Sequence, residues 1–172
     1  MSEKIYVDIY IKYNFMIRVF DILISILILI IFLPLIIIIS LLILLIDGRP
    51  VIYRQTRVGL MGKQFEILKF RSMRNIIFEN ENLRLTALGK ILRKTSLDEL
   101  PQFINILKKD MSIVGPRPLP VIIEKGIDVS IKYKRRKVLP GLTGMSQIHY
   151  NGKNRKLVEK IKLDIYFIDN YN

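Results

Sequence analysis

Residues 22–46 read ILISILILIIFLPLIIIISLLILLI, a run without a single charged side chain. One helix of this length can cross the ~30 Å hydrocarbon core of a bilayer. Pro34 lies at the middle of the run, and because proline lacks an amide hydrogen it bends a helix. Either half alone is about 18 Å long, too short to cross. The run therefore predicts either a kinked span or a helix–break–helix that enters and leaves through one leaflet.

Basic residues flank this run on both sides. The rule that Lys and Arg concentrate on the cytoplasmic side of a spanning helix therefore does not show which end would lie outside. They are Lys4, Lys12 and Arg18 before the run and Arg49, Arg54 and Arg57 after it. Arg18 lies at the start of the run. We expect it to pair with a lipid phosphate, or to extend towards water as arginines at helix ends do.

The chain has 172 residues, a formal net charge of +13, no cysteine and one histidine, His149. This composition excludes disulfides, thiolate zinc sites and multi-histidine metal sites. Any metal ion must be held by oxygen ligands, as Mg²⁺ or Ca²⁺ is. The basic excess follows Ile46 and attracts the phosphates of lipids, nucleotides or nucleic acid. We expect an N-terminal and membrane segment at 1–47 and one small globular domain at 48–172.

The second of these parts carries short strand and helix patterns. Apolar spacing predicts strands at 51–57 and 63–70 around a glycine turn, and helices at 85–94, 96–109 and 155–171. The segments 115–120 and 139–144 are rich in proline and glycine and predict turns. Residues 74–84 predict a loop, and 121–137 a basic helix or loop. The fold class is thus α-rich α+β with a short β-hairpin.

Asp98 and Glu99 open the predicted helix 96–109. Ser96 and Glu99 have the spacing of a capping box, and acidic residues in a first turn offset the helix dipole without any other role. The same amides can keep a carboxylate ionised and bind phosphate oxygens. An ionised Asp is a nucleophile towards phosphorus, and the adjacent carboxylate can hold Mg²⁺. Both interpretations are open on this pattern alone.

Three cations elsewhere suit phosphate binding. Pro116 and Pro118 fix the backbone around Arg117, and a rigidly held guanidinium binds phosphate through two nitrogens. Lys69 and Arg71 end the predicted hairpin. Side chains two positions apart on a strand face the same side, so these two can meet a diphosphate. Each of the three cations is equally compatible with a solvated surface.

Three strings in fixed order resemble the bacterial sugar transferases, the monotopic polyprenyl-phosphate phosphoglycosyl transferases. They are VIYRQTRVGL-GK-F-ILKFRSM (51–73), LRKTSLDELPQFINILKKDMSIVGPRPLP (92–120) and PGLTG-SQ (140–147). The resemblance runs from about Arg18 to the end of the chain. It implies a re-entrant helix broken at Pro34 in the bacterial inner membrane, among phospholipids. It also implies a catalytic domain whose active site lies on the cytoplasmic face.

The resemblance further implies transfer of a sugar-1-phosphate from a UDP-sugar to a polyprenyl phosphate, with Mg²⁺ as cofactor. Asp98 matches the nucleophile that releases UMP and carries the phosphosugar, and Glu99 matches the metal ligand. Arg93, Arg117 and Asp164 fall on further site positions of the family. Together with Lys69 and Arg71 they make up the expected substrate-binding set.

Four positions depart from the family pattern. Leu33 replaces a serine before the helix break, and Leu139 replaces a basic residue before the PGLTG turn. Met145 replaces a tryptophan after that turn, and Lys153 replaces an arginine. These differences bear on the nucleotide and sugar contacts rather than on Asp98 and Glu99, and the sequence leaves the sugar open.

A competing hypothesis is a non-catalytic, membrane-anchored basic protein that binds anionic lipid or nucleic acid. It predicts salt-sensitive binding that tolerates changes at Asp98 and Glu99. The chain lacks the interleaved aromatic and basic residues of an RNA-binding surface, so we do not expect nucleic acid as a partner. The oligomeric state is left open.

Overall fold

Two helices at the N-terminus form a bent pair in the computed structural model, which describes residues 3–74, 84–150 and 156–170, with side chains from residue 15 onwards. Helix α1 (Glu3–Ile31) is followed at once by α2 (Leu33–Ile46). The bend between Phe15–Ile31 and Leu33–Ile46 is 62°. Among the described residues no single helix has the length and hydropathy to cross a membrane, whereas this pair together meets both criteria.

The bend occurs at Phe32, directly before the first turn of α2, which contains Pro34. Proline is tolerated there because the first amides of a helix have no partner within it. Backbone hydrogen bonds continue on both sides of the break, from Phe32 to the Ile28 carbonyl (2.9 Å) and from Ile36 to the Phe32 carbonyl (2.8 Å). The predicted proline break is therefore present.

The predicted hairpin is confirmed. Strands β1 (Ile52–Val58) and β2 (Gln64–Phe70) pair antiparallel, with Ile52 opposite Phe70 and Val58 opposite Gln64. A 3₁₀ turn, Leu60–Gly62, joins them.

The helix predicted at 85–94 is also present, as α3 (Ala87–Lys94), but the prediction for 96–109 is wrong in part. Leu97–Glu99 is a 3₁₀ turn, and the α-helix α4 starts only at Gln102 and ends at Leu107. Ser96 has φ 58° and makes no side-chain capping bond, so the capping box does not form. Pro101 has no amide hydrogen for the Leu97 carbonyl, which is why one helix does not run through.

A second, two-stranded sheet was not predicted. Strand β3 (Ser112–Val114) pairs in parallel with β4 (Gly141–Thr143), inside the segment expected to be a turn. The pairing requires close backbone approach, since a Cβ at Gly141 would lie 2.1 Å from the Gly115 nitrogen. The remaining helices are α5 (Val121–Lys125), α6 (Val129–Arg135), α7 (Met145–Tyr150) and α8 (Leu157–Asn170).

The main hydrophobic core joins the N-terminal helix pair to the rest of the chain. Ile39 and Ile43, one turn apart on α2, are buried against Phe70, Leu92 and Leu100. A second cluster packs beneath the hairpin and comprises Phe65, Ile67, Ile106 and Met111. From Phe15 onwards, most other large side chains of α1 and α2 are exposed, and they form an apolar surface of the kind that lipid or another apolar phase covers.

Two polar side chains fix α1 to the domain. Arg18 donates to the carbonyls of Ile106 (2.6 Å) and Leu107 (2.9 Å) at the end of α4. Asp21 is buried and accepts a hydrogen bond from the Ile113 amide at 3.0 Å. The orphan carbonyls of a helix end attract a cation, which explains this contact of Arg18 with the protein. The expected contact with a lipid phosphate stays a prediction.

Candidate active site

The hydrophobic core brings the predicted site residues together, because several core residues are their direct neighbours in the sequence. Phe70 adjoins Lys69, and Leu92 adjoins Arg93. Leu97 and Leu100 flank Asp98 and Glu99, and all four apolar neighbours pack in the cluster that contains Ile39 and Ile43 of α2. The site therefore lies close to the apolar helix pair.

Glu99 is held by two cations. Its Oε1 accepts from Lys69 Nζ at 2.5 Å and from Arg117 Nη2 at 3.3 Å. The side chains of Lys69 and Glu99 are 16% and 22% exposed, whereas that of Arg117 is 46% exposed. Burial by itself raises the pKa of Glu99, but the charges and hydrogen bonds of Lys69 and Arg117 outweigh it and lower the pKa below its usual value. Glu99 is therefore ionised at neutral pH.

Asp98, the preceding residue, is only 6% exposed. Burial raises the pKa of its carboxyl, and the negative charge of Glu99 adds to this effect. The positive charges of Lys69 and Arg93 act in the opposite direction without cancelling it. A buried carboxylate with a raised pKa and nearby cations is a candidate functional group rather than a solvated surface charge.

Arg93 is fixed by a residue that the sequence did not single out. Its Nε donates to the Ser72 hydroxyl at 2.9 Å. Helix α3 approaches Ser72 closely at Gly89, where a Cβ would lie 2.0 Å from the Ser72 carbonyl oxygen. The glycine therefore allows the contact that places Arg93 near Asp98.

Arg71 lies apart from Lys69. It follows the end of β2, is 7% exposed, and donates to the carbonyls of Asp47, Gly48 and Arg49. Its guanidinium thus holds the turn after α2. The expectation that Arg71 and Lys69 share one face is wrong, and so is the alternative that Arg71 lies on a solvated surface. The two-residue spacing of a strand does not apply, because the strand ends at Phe70.

Asp164 forms a buried ion pair with Arg135, whose Nη2 also donates to the Arg117 carbonyl at 2.7 Å. Burial raises the pKa of Asp164, and Arg135 together with a hydrogen bond from Ser146 offsets this only in part. Asp164 therefore positions the backbone of Arg117 through Arg135. In the sequence, Arg135 belongs to a basic run of the kind that is typical of a solvated face.

A cleft of about 310 Å³ opens beside this ion pair, between α7 and α8. Arg117 lines it and also reaches Glu99, so the cleft and the carboxylate pair share one residue. The wall combines cations, hydrogen-bonding groups and apolar side chains: Leu119, Arg135, Ser146, Gln147, Tyr150, Leu157, Lys160, Ile161 and Asp164. Such a mixed wall fits a ligand with a phosphate, a polar edge and an apolar face.

The donor set at the carboxylate pair fits a hard cation. Asp98 and Glu99 offer carboxylate oxygens, which Mg²⁺ prefers. Within the described ranges, there is no group of three or more His, Cys, Asp or Glu side chains that could enclose a metal ion. Mg²⁺ often binds through one or two carboxylates and completes its shell with water and substrate phosphates.

Sequence similarity to known proteins identifies the family of this chain. The family model described as "Bacterial sugar transferase" matches residues 12–172. The chain belongs to the bacterial sugar transferase family. The resemblance carried by the three strings is therefore confirmed.

The names of the curated relatives state several activities. The chain is 43% identical over 136 residues to an uncharacterised sugar transferase of Bacillus subtilis, covering 73% of this chain and 63% of the relative. It is 39% identical over 166 residues to the UDP-glucose:undecaprenyl-phosphate glucose-1-phosphate transferase of Escherichia coli, covering 88% and 35%. It is 38% identical over 182 residues to the undecaprenyl-phosphate galactose phosphotransferase of Salmonella typhimurium, covering 92% and 37%. The chain thus spans between about one third and two thirds of these relatives' lengths.

Proposed function

We propose that this protein transfers a sugar-1-phosphate from a UDP-sugar to a polyprenyl phosphate such as undecaprenyl phosphate. The observation that carries the proposal is the buried Asp98 beside Glu99, with Lys69, Arg93 and Arg117 around the pair. The names of the relatives support an undecaprenyl-phosphate acceptor and a nucleotide-sugar donor. The buried pair favours an enzyme over a basic lipid-binding protein, which would gain nothing from two carboxylates held there.

Asp98 acts as the nucleophile. A carboxylate oxygen of Asp98 forms a bond to the sugar-linked phosphorus of the donor, and the bond from that phosphorus to the bridging oxygen breaks. UMP leaves with that oxygen, and the phosphosugar remains on Asp98. A phosphate oxygen of the acceptor then attacks the same phosphorus and releases the Asp98 carboxylate. The products are UMP and a polyprenyl diphosphate sugar.

Arg117 is the residue that links the reacting centre to the rest of the donor. Its guanidinium is directed at Glu99, while the residue itself lines the cleft between α7 and α8. We place the donor diphosphate at Arg117, Arg93 and Lys69, and the remainder of the donor in the cleft. Asp164 and Arg135 act there as positioning residues, since they brace the Arg117 backbone.

The bent pair of α1 and α2 supports a location of this centre at the membrane surface. We propose that the pair is re-entrant and that the active site faces the cytoplasm from the bacterial inner membrane. Both halves expose large apolar side chains, and Ile39 and Ile43 of α2 pack directly against the residues that flank Asp98. A polyprenyl phosphate in the same leaflet can therefore bring its head group to Asp98 without leaving the lipid.

Glu99 is the residue that would hold Mg²⁺. When bound, the ion would neutralise the diphosphate and stabilise the departing nucleotide phosphate. Asp98 is the nearest second carboxylate, and Lys69, Arg93 and Arg117 supply the remaining positive charge.

Mass spectrometry of the intact protein tests the proposal. Purified protein is incubated in nanodiscs with Mg²⁺ and separate UDP-sugars. One donor should add the mass of one phosphosugar at Asp98 and release UMP, and undecaprenyl phosphate should then remove the adduct. Asp98→Asn should show neither event, whereas Asp169→Asn, at an exposed ion pair, should behave like wild type. Release of UDP in place of UMP, or an adduct on Asp98→Asn, would contradict the mechanism.

A further inference from the structure

One oxygen of Glu99 accepts hydrogen bonds from two cations of the chain itself. Lys69 Nζ and Arg117 Nη2 both donate to Oε1, at 2.5 Å and 3.3 Å. Lys69 is largely buried, so its ammonium has little water to replace the carboxylate as a partner. A dication at Glu99 must therefore compete with two positive charges for a single carboxylate.

The rest of the site offers a dication few ligands. The part of the chain that the structure describes contains no cluster of three or more side chains of His, Cys, Asp or Glu. Asp98 and Glu99 alone supply too few oxygens for the octahedral shell of Mg²⁺. Water and the phosphates of a bound substrate can supply the missing ligands.

A donor diphosphate changes this balance because it attracts the same two cations. Arginine and lysine both bind phosphate oxygens, and Arg117, being about half exposed, can turn from Glu99 with little loss of packing. Because both cations donate to Oε1, that oxygen is released to the dication only when both have moved to the diphosphate. The oxygens of the diphosphate simultaneously supply ligands beyond the two carboxylates.

We propose that Lys69 and Arg117 keep Glu99 closed to Mg²⁺ until the donor diphosphate draws them away, so that metal and donor enter the site together. This exchange rests on the proposed function, since it names the order in which that site is filled. Binding free energies are reciprocal, so the diphosphate must raise the affinity for the dication by the same factor as the dication raises that for the diphosphate.

Titration of a dication without nucleotide tests the exchange directly. Mn²⁺ serves as the probe, and its binding to the full chain in nanodiscs is followed by electron paramagnetic resonance. Wild type should bind Mn²⁺ weakly. Lys69→Gln should bind it about five- to tenfold more tightly, because one competitor for Glu99 is gone. Arg117→Gln changes a more exposed residue at a longer distance, and should shift affinity in the same direction by less.

Lys134→Gln is the matched control. It removes the same charge from an exposed ion pair with Asp169, far in sequence from Glu99, and should leave Mn²⁺ binding as in wild type. Glu99→Gln combined with Lys69→Gln should abolish the gain. If Lys69→Gln and Arg117→Gln both bind Mn²⁺ no more tightly than Lys134→Gln, the exchange is wrong.

Nucleotide dependence completes the experiment. Saturating UDP should raise Mn²⁺ affinity in wild type and raise it less in Lys69→Gln, after correction for the Mn²⁺ that UDP binds in solution. An equal effect of UDP in both proteins would overturn the proposal. None of these measurements involves turnover, so a failed exchange is distinguishable from the absence of an Asp98 phosphosugar adduct, which would contradict the proposed function instead.

Discussion

Asp98 and Glu99 are consecutive residues of one 3₁₀ turn, yet their pKa values are shifted in opposite directions. Burial raises the pKa of Asp98 despite the cations nearby. At Glu99, Lys69 and Arg117 outweigh the effect of burial and lower the pKa. The charged form of Asp98 therefore opposes folding, whereas the charged form of Glu99 favours it. Reactive groups in enzymes are often held in such unfavourable environments.

Asp98→Asn should raise the melting temperature Tm while abolishing phosphosugar transfer. The folded-state pKa of Asp98 lies above its unfolded value, so at neutral pH its negative charge lowers the free energy of unfolding. Asparagine keeps the shape and removes the charge. Thermal unfolding in one detergent, with Asp169→Asn as control, provides the measurement. A lower Tm for Asp98→Asn would show that the carboxylate stabilises the fold.

Glu99→Gln should do the reverse and destabilise the protein. Lys69 would keep a largely buried charge without its carboxylate partner, at a cost of about 1–3 kcal/mol. For a chain of this size, each kcal/mol lowers Tm by about 2–4 °C. Because the pKa of Glu99 is lowered, its contribution is present above the unfolded pKa and is lost as pH falls through the folded one. The difference from wild type should therefore shrink in acid.

The acidic limb of the pH–rate profile should report Asp98. The nucleophile must be ionised, so kcat/KM, which reflects the free enzyme, should fall as pH drops through the raised pKa of this residue. Attraction by Lys69 opposes that rise in pKa. Lys69→Gln should consequently move the limb to higher pH, whatever it does to the plateau. An unmoved limb would mean that another group controls the rate.

Local patterns in the sequence predicted the parts of the fold that depend on neighbouring residues. The hairpin, α3, α8 and the break before Pro34 follow from alternation, helical spacing and one missing amide. The capping box failed because Ser96 has φ 58° and makes no side-chain capping bond, and Pro101 prevents one helix from running through 96–109. The β3–β4 sheet was missed because three-residue strands carry almost no pattern of their own.

The site, like the fold, combines features that the sequence predicts with contacts that it does not predict. Five predicted site residues lie together, as their shared predicted role required: Lys69, Arg93, Asp98, Glu99 and Arg117. The partners of Arg71 and Arg135, by contrast, are backbone carbonyls and a carboxylate distant in sequence. No local pattern distinguishes such a buried arginine from a solvated one. A signal did exist for Arg135, since Asp164 shares the apolar face of its helix with Ile161 and Ile168, and a carboxylate buried on that face needs a cation.

Arg18→Met should weaken the attachment of α1 to the domain. The variant keeps the apolar stem and loses the charged hydrogen bonds to the Ile106 and Leu107 carbonyls, so the free energy of unfolding should fall by about 1.5–3 kcal/mol. Arg54→Met is the control, because its ion pair with Glu66 is exposed and worth less than about 1 kcal/mol. Equal effects of the two substitutions would show that the α4 contact is weak.

Gly141→Ala should disturb the loop that carries Arg117. An added Cβ would lie 2.1 Å from the backbone nitrogen of Gly115, and backbone, unlike a flexible side chain, cannot turn away. The β3 and β4 segments must then separate, at a cost of about 1–3 kcal/mol or more. Arg117 lies two residues beyond Gly115, so KM for the donor should rise as well.

Gly126→Ala is the matched control for that substitution. Its added Cβ would meet the Ile123 carbonyl at 3.6 Å, an ordinary contact, and Gly126 already has right-handed helical angles. We expect its Tm and donor KM to match wild type. If Gly141→Ala leaves both quantities equally unchanged, the two segments do not pack as closely as described. If it lowers Tm without changing KM, the β3–β4 contact supports the fold but does not position Arg117.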